Sequence, residues 1–275
     1  MSAQLTAKNH IHEMKNKLTY LVSSDYLYAL ELCYDTNAPY IMIFEDDIII
    51  ADSWFIKTKQ AISQIESKAI RGGKAAYNYL YMRIFYTETA MRWRNSDFWF
   101  RRMDLLIALS ASFTCLFLLG FRRGVPSSRR YLDTWTLCVL CLVAVPAFII
   151  LLFMIGKYSL FPPKGVFVMN RYGCCTQALI FPRDRVPPMV KWFRDWSTVL
   201  NRAYISTDVM IDYYADEQGM DRLALGPQLL QHVGLTSSRD GRYIDGRSTR
   251  SFWFDEYDPV KLRKEHDAIL KTFQS

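Results

Sequence analysis

The sequence predicts an α/β fold interrupted by a two-helix transmembrane hairpin, and three observations predict it. An apolar, strand-like run, Ile41-Met42-Ile43-Phe44, leads into Glu45-Asp46-Asp47 and resumes as Ile48-Ile49-Ile50. Amphipathic helical spacing flanks this run on both sides. Farther on, two stretches without a charged residue, Leu105 to Phe121 and Thr134 to Gly156, are joined by a short arginine-rich loop. Helix, strand and helix around a strand that ends in carboxylates fit an α/β layer, in which ligands bind beyond the carboxyl ends of the strands.

The first element places Leu18, Leu21, Val22, Tyr26, Ala29, Leu30 and Cys33 at helical spacing, with Ser24 and Asp25 available to cap a second helix. Thr36-Asn37-Ala38-Pro39 ends it, and the acidic strand follows. Asp52-Ser53 then caps a helix that turns Trp54, Phe55, Thr58, Ala61, Ile62, Ile65 and Ala69 to one face and stops at Gly72-Gly73. Residues 77–88, rich in Tyr, Leu, Ile and Phe, read as another strand. Trp93, Phe98, Trp99 and Phe100, interleaved with Arg92, Arg94, Arg101 and Arg102, directly precede an apolar run. They read as a membrane-interface belt rather than a base-stacking surface.

A helix needs about 20 apolar residues to cross the hydrocarbon core, so the second run is long enough and the first is at the short end. Neither run has a polar face, which argues against two buried helices of a soluble core. The chain therefore divides into residues 1–102, a hairpin over 103–156 with helices at about 105–121 and 134–156, and residues 157–275. Two crossings return the chain to its starting side. Arg122, Arg123, Arg129 and Arg130 mark the loop 122–133 as cytosolic by the positive-inside rule, which leaves both polar segments lumenal or extracellular. Residues 122–133 hold four arginines against Asp133 alone, whereas the polar segments on either side are nearly balanced and lack the basic stripe of a nucleic-acid binder.

Beyond the hairpin, Val166 to Met169 and Gly173 to Pro182 read as strands, and residues 186–202 as a helix with Val190, Trp192, Phe193, Trp196 and Leu200 inward. Ser206-Thr207-Asp208 is a capping signal for a helix over Val209 to Gly219 that carries Asp212, Asp216 and Glu217. Of the six cysteines, Cys115, Cys138 and Cys141 lie in the apolar runs as small hydrophobes, which leaves room for one disulfide among Cys33, Cys174 and Cys175.

Three adjacent carboxylates in an apolar setting carry the chemistry. Burying one unpaired carboxylate costs several kcal/mol or forces protonation, so a buried triplet needs a cation or many donors. Glu45-Asp46-Asp47 is thus a candidate site for a divalent metal and a sugar nucleotide, the alternative being a solvated acidic turn. His232, in a Leu-rich stretch, is a structural histidine or a further ligand. Asp208 is explained by helix capping alone, or it accepts the proton of an attacking hydroxyl.

The segment Pro39 to Asp47, the segment Gly173 to Pro182, and Gln231-His232-Val233-Gly234 followed by Ser237-Ser238 resemble inverting GT-A glycosyltransferases of the N-acetylglucosaminyltransferase IV type. With a hairpin between the acidic motif and the His-Val-Gly segment, the chain is similar to the family of Golgi enzymes that add N-acetylgalactosamine to the mannose core of glycosylphosphatidylinositol (GPI) anchors. The resemblance spans nearly the whole chain. It implies a GT-A-like (Rossmann-like) domain, a UDP-sugar donor, Mn2+ or Mg2+ as cofactor, a GPI-anchored glycolipid or protein as acceptor, and a multi-pass location in the Golgi membrane.

The resemblance also implies roles. Asp47 is the direct metal ligand, Glu45 and Asp46 contact the ribose of the nucleotide sugar or the metal's waters, and His232 is a second metal or diphosphate ligand. Asp208 is the general base, with Asp212 one helical turn later as its rival. The segment before the acidic motif is short and Met1 to His12 is polar, so against the family pattern the chain reads as N-terminally incomplete. A catalytically inactive membrane scaffold of the same fold is the alternative function.

Overall fold

The computed structural model describes residues 25–71, 78–88, 91–169, 176–200, 205–234 and 250–274. The chain forms two compact units, Met1–Ala90 with Pro162–Ser275, and Met91–Phe161. In chain order the elements are α1 (25–34), β1 (Tyr40–Phe44), β2 (Ile48–Ile50), α2 (Trp54–Arg71), β3 (Tyr79–Arg83), α3 (Met103–Gly124) and α4 (Thr134–Met154). They continue with β4 (Gly165–Val168), β5 (Ala178–Pro182), α5 (Val186–Leu200), α6 (Thr207–Glu217), β6 (Asp221–Gly226), β7 (Leu230–His232) and α7 (Pro259–Gln274).

The first unit is a mixed α/β layer. Its main sheet has five strands in the order β1-β5-β3-β6-β4, with β3 and β6 parallel and the other pairs antiparallel. Alternation along β5 sends Leu179 and Phe181 to one face and Ala178 and Ile180 to the other. The first face packs on Leu30 of α1, Val190 and Phe193 of α5, and Ile211 and Tyr214 of α6. The second packs on Ala61 and Ile65 of α2. Trp192 and Trp196 of α5, expected inward, are half-buried at the edge of the first face.

Several expectations change in detail. The single acidic strand is two strands: β1 is an edge of the five-stranded sheet, whereas β2 pairs with β7 in a separate two-stranded sheet. The changeover falls within the acidic triplet. Glu45 N–H still donates to Gln177 O of the β5 side at 3.0 Å, and Asp47 O already accepts from Val233 N–H of the β7 side at 2.9 Å. On α2, Phe55 faces solvent and Ile56 is buried, because Trp54 packs edge-on against Phe44 with ring centroids 5.4 Å apart and sets the helix rotation. β3 ends at Arg83 rather than running through residue 88; past it Ile84 O is taken by Leu229 N–H at 3.0 Å. α6 begins at Thr207, with Ser206 at the N-cap making no side-chain cap bond, so Asp208 lies inside the first turn. Cys33 is a free thiol, and Cys174 and Cys175 fall outside the described residues, as do Ser237 and Ser238.

The second unit contains the two apolar helices, both long and apolar enough to cross a membrane. α3 extends past both ends of its charge-free run, with Asp104 in the first turn and Arg122 and Arg123 in the last, each complementing the helix dipole. The Asp133 side chain caps α4 by accepting from Thr136 N–H. Pro146 lacks an N–H, and its ring would meet the carbonyl four residues back. That carbonyl belongs to Leu142, inside a π-helical turn over Leu140–Ala144 that widens the backbone there.

Candidate functional site

The β2–β7 ladder builds the site. Ile48 pairs with His232 in an antiparallel register, which sets Asp47, one residue before Ile48, beside the end of β7. His232 Nε2 lies 3.1 Å from Asp47 Oδ2. Glu45 completes the cluster: one donor atom from each of Glu45, Asp47 and His232 lies within 4.8 Å of the other two. Thr176 Oγ1–H donates to Glu45 Oε1 at 2.6 Å and holds that carboxylate in place.

The cluster fits a divalent cation. Ligands at about 2.1 Å on neighbouring octahedral positions lie roughly 3.0 Å apart, which is the separation that His232 Nε2 and Asp47 Oδ2 already have. Asp47 Oδ1 is buried without a hydrogen-bond partner among the described residues. Such atoms cost stability unless something else satisfies them. Carboxylate oxygens suit hard divalent cations and imidazole suits transition-metal ions, so the mixed set takes a divalent ion that accepts both.

Gly234 shapes the other wall. A Cβ added there would lie 2.9 Å from His232 Nε2 and 3.0 Å from Asp47 Cγ, and closer still to Asp47 Oδ2. Only a residue without a side chain lets the backbone approach the Asp47 carboxylate so closely. The glycine directly after His232-Val233 was the visible signal for this contact.

The other sequence-predicted residues are placed differently. Asp46 is exposed in the turn between β1 and β2 and gives no donor atom to the cluster. Asp208 is half-buried in the first turn of α6, also outside the cluster. Asp212, one turn later, is committed elsewhere. Its Oδ1 accepts from Arg222 Nε at 2.7 Å and from Tyr81 O–H at 3.2 Å, and Arg222 Nη1 also donates to Asp216 at 3.0 Å. Burial works against the Arg222 charge, but Asp212 and Asp216 more than restore it, so its pKa lies above the usual guanidinium value. Arg83, buried on the same side of the sheet, donates to Tyr81 O–H at 3.0 Å. Burial, and then the nearby Glu45, push the Tyr26 phenol well above its ordinary range and keep it neutral. Neither Thr176 nor Arg83 was singled out from the sequence, because a lone Thr or Arg in a strand carries no motif.

Residues 3–231 match the family described as GPI-N-acetylgalactosamine transferase PGAP4. The chain belongs to the PGAP4 family. No curated protein and no solved structure matches it. The matched span contains Glu45, Asp46, Asp47, Thr176, Asp208 and Asp212, and it ends at Gln231, immediately before His232. A second, apolar helical unit between β3 and β4 also lies wholly inside that span.

Proposed function

We propose that this chain is an inverting, metal-dependent glycosyltransferase with a GT-A-like domain, moving N-acetylgalactosamine from a UDP-sugar to the mannose core of GPI anchors. The Glu45–Asp47–His232 cluster carries this reading, because two carboxylates and an imidazole converge in a chain that belongs to a sugar-transferase family. Asp47, Glu45 and His232 would hold Mn2+ or Mg2+. A divalent ion supplies an offset to the negative charge that develops on the departing diphosphate. Asp46, exposed in the turn between β1 and β2, would contact the ribose or the metal's waters.

Asp208 is the proposed general base. The acceptor hydroxyl oxygen bonds to the anomeric carbon from the face opposite the diphosphate, the carbon–oxygen bond to the diphosphate breaks, and the hydroxyl proton passes to the Asp208 carboxylate. Asp212 is the weaker candidate because Arg222 and Tyr81 occupy its Oδ1. The two apolar helices suit an acceptor that is itself lipid-anchored, in a Golgi membrane with loop 122–133 cytosolic and both polar segments lumenal.

The test is sugar transfer by the purified full chain in detergent, with UDP-N-acetylgalactosamine, Mn2+ and a mannose-terminated GPI glycan. Transfer that EDTA stops, and that Asp47→Ala reduces by at least about 100-fold, is the expected result. Transfer that survives Asp47→Ala would sink the metal-site reading. Metal and donor binding without transfer by the wild-type chain would favour the inactive scaffold.

A further inference from the structure

We infer that Gln231, Ser251 and Glu88 form a buried clasp that sets the position of His232, which makes them positioning residues for the cation cluster. The inference rests on reading Glu45, Asp47 and His232 as a divalent-cation site, and it adds residues far from that site in sequence.

β7 has only three residues, and among the described residues its one ladder partner is β2, also three residues long. So short a ladder is marginal by itself. Side chains alternate along a strand, so Gln231 leaves β7 on the face opposite His232. There its amide closes a two-way pairing with one backbone residue: Nε2 donates to Ser251 O at 2.7 Å, and Oε1 accepts from Ser251 N–H at 2.8 Å. Nε2 also donates to Asp255 Oδ1 at 2.9 Å.

The chain of bonds continues inward. Ser251 Oγ–H donates to Glu88 Oε1 at 2.6 Å, and Gln228 Nε2 donates to the same oxygen at 2.7 Å and to Tyr86 O at 3.2 Å. Glu88, Gln228 and Ser251 are 0% exposed and Gln231 is 1% exposed. Filling this volume with apolar side chains would cost less than burying a carboxylate and two amides. What the polar groups add is register. Slipping β7 by one residue would turn His232 away from Asp47 and break the bonds of Gln231 to Ser251 and Asp255.

The test uses Mn2+ alone, titrated into the purified full chain and followed by electron paramagnetic resonance, with thermal melting recorded in EDTA. Gln231→Leu keeps the volume and removes the bonds. It is expected to weaken Mn2+ binding by about 10- to 100-fold, the range for lost outer-shell support, and to change the bound-Mn2+ spectrum. Glu88→Gln keeps an acceptor oxygen for Ser251 and Gln228 and is expected to bind within about threefold of wild type, whereas Glu88→Leu is expected to match Gln231→Leu. Equal Mn2+ affinity in wild type and Gln231→Leu overturns the clasp and leaves the cation site standing. A wild-type chain that binds no Mn2+ overturns the cation site itself, and the clasp with it. If Gln231→Leu does not fold, Glu88→Leu takes its place with the same criterion.

Discussion

The two units of this chain treat apolar side chains in opposite ways. In the sheet unit Leu80, Tyr81, Phe181 and Met189 are fully buried, whereas α3 of the helical unit buries none of its residues and leaves Phe113 and Leu116 72% and 71% exposed. Both units are rich in apolar residues, so hydropathy alone does not separate them. The difference lies in where those residues can go. A half-buried strand hides every second side chain against a partner layer, while a helix that is apolar all round needs an apolar solvent.

The sharpest way to break the contrast is to remove one large side chain from each unit. Phe181→Ala is expected to lower stability by about 3–5 kcal/mol in a thermal melt, since it opens a cavity between the sheet and α5. Phe113→Ala, on an exposed position, is expected to leave that melt nearly unchanged; an equal loss at both positions would mean that α3 is a core helix.

A charge on the exposed face of α3 comes next. Leu116→Arg would be harmless on a water-facing helix, but at the centre of a membrane span it costs about 2.5–3.5 kcal/mol of insertion free energy. The expected outcome is a marked drop in alkali-resistant membrane fractionation. Unchanged fractionation would contradict the membrane reading of this unit.

At the cluster, Gly234→Ala adds a single methyl group that must displace the Asp47 carboxylate or His232. Mn2+ affinity should fall roughly 10-fold with little change in melting temperature, because the site moves while the core does not. Full retention of affinity would show that Asp47 does not need this close approach. The smallest effect belongs to Lys57→Ala. It breaks the 2.8 Å ion pair between α2 and Glu265 of α7, and a partly exposed pair of this kind contributes at most about 1 kcal/mol to the melt.

Much of this organisation was legible in residue order. The two apolar helices showed as two charge-free runs, α2 as an apolar stripe that holds at Ala61 and Ile65 but not at Phe55, and the acidic triplet as carboxylates in an apolar setting. What stayed hidden was partner choice. Ile41 to Phe44 and Ile48 to Ile50 are equally apolar, and nothing in their pattern says that one ladders with β5 and the other with β7. Asp208 and Asp212 share a helix face, and the sequence does not show that Arg222, arriving from β6, and Tyr81 of β3 both engage Asp212. Gln231 lay within the motif that carried the family resemblance, yet its work depends on Ser251, twenty residues later in the chain.

The strand order also has a consequence for biogenesis. β1 and β3 precede the helical unit, but their neighbours in the sheet, β5 and β6, are made only after it. A nascent chain that has reached residue 90 therefore carries two apolar strands that do not pair with each other. Their open edges persist until residues 178–226 have been synthesised. β1 and β3 stay without these partners until the chain on the far side of the helical unit reaches them, so the sheet cannot close from either half alone.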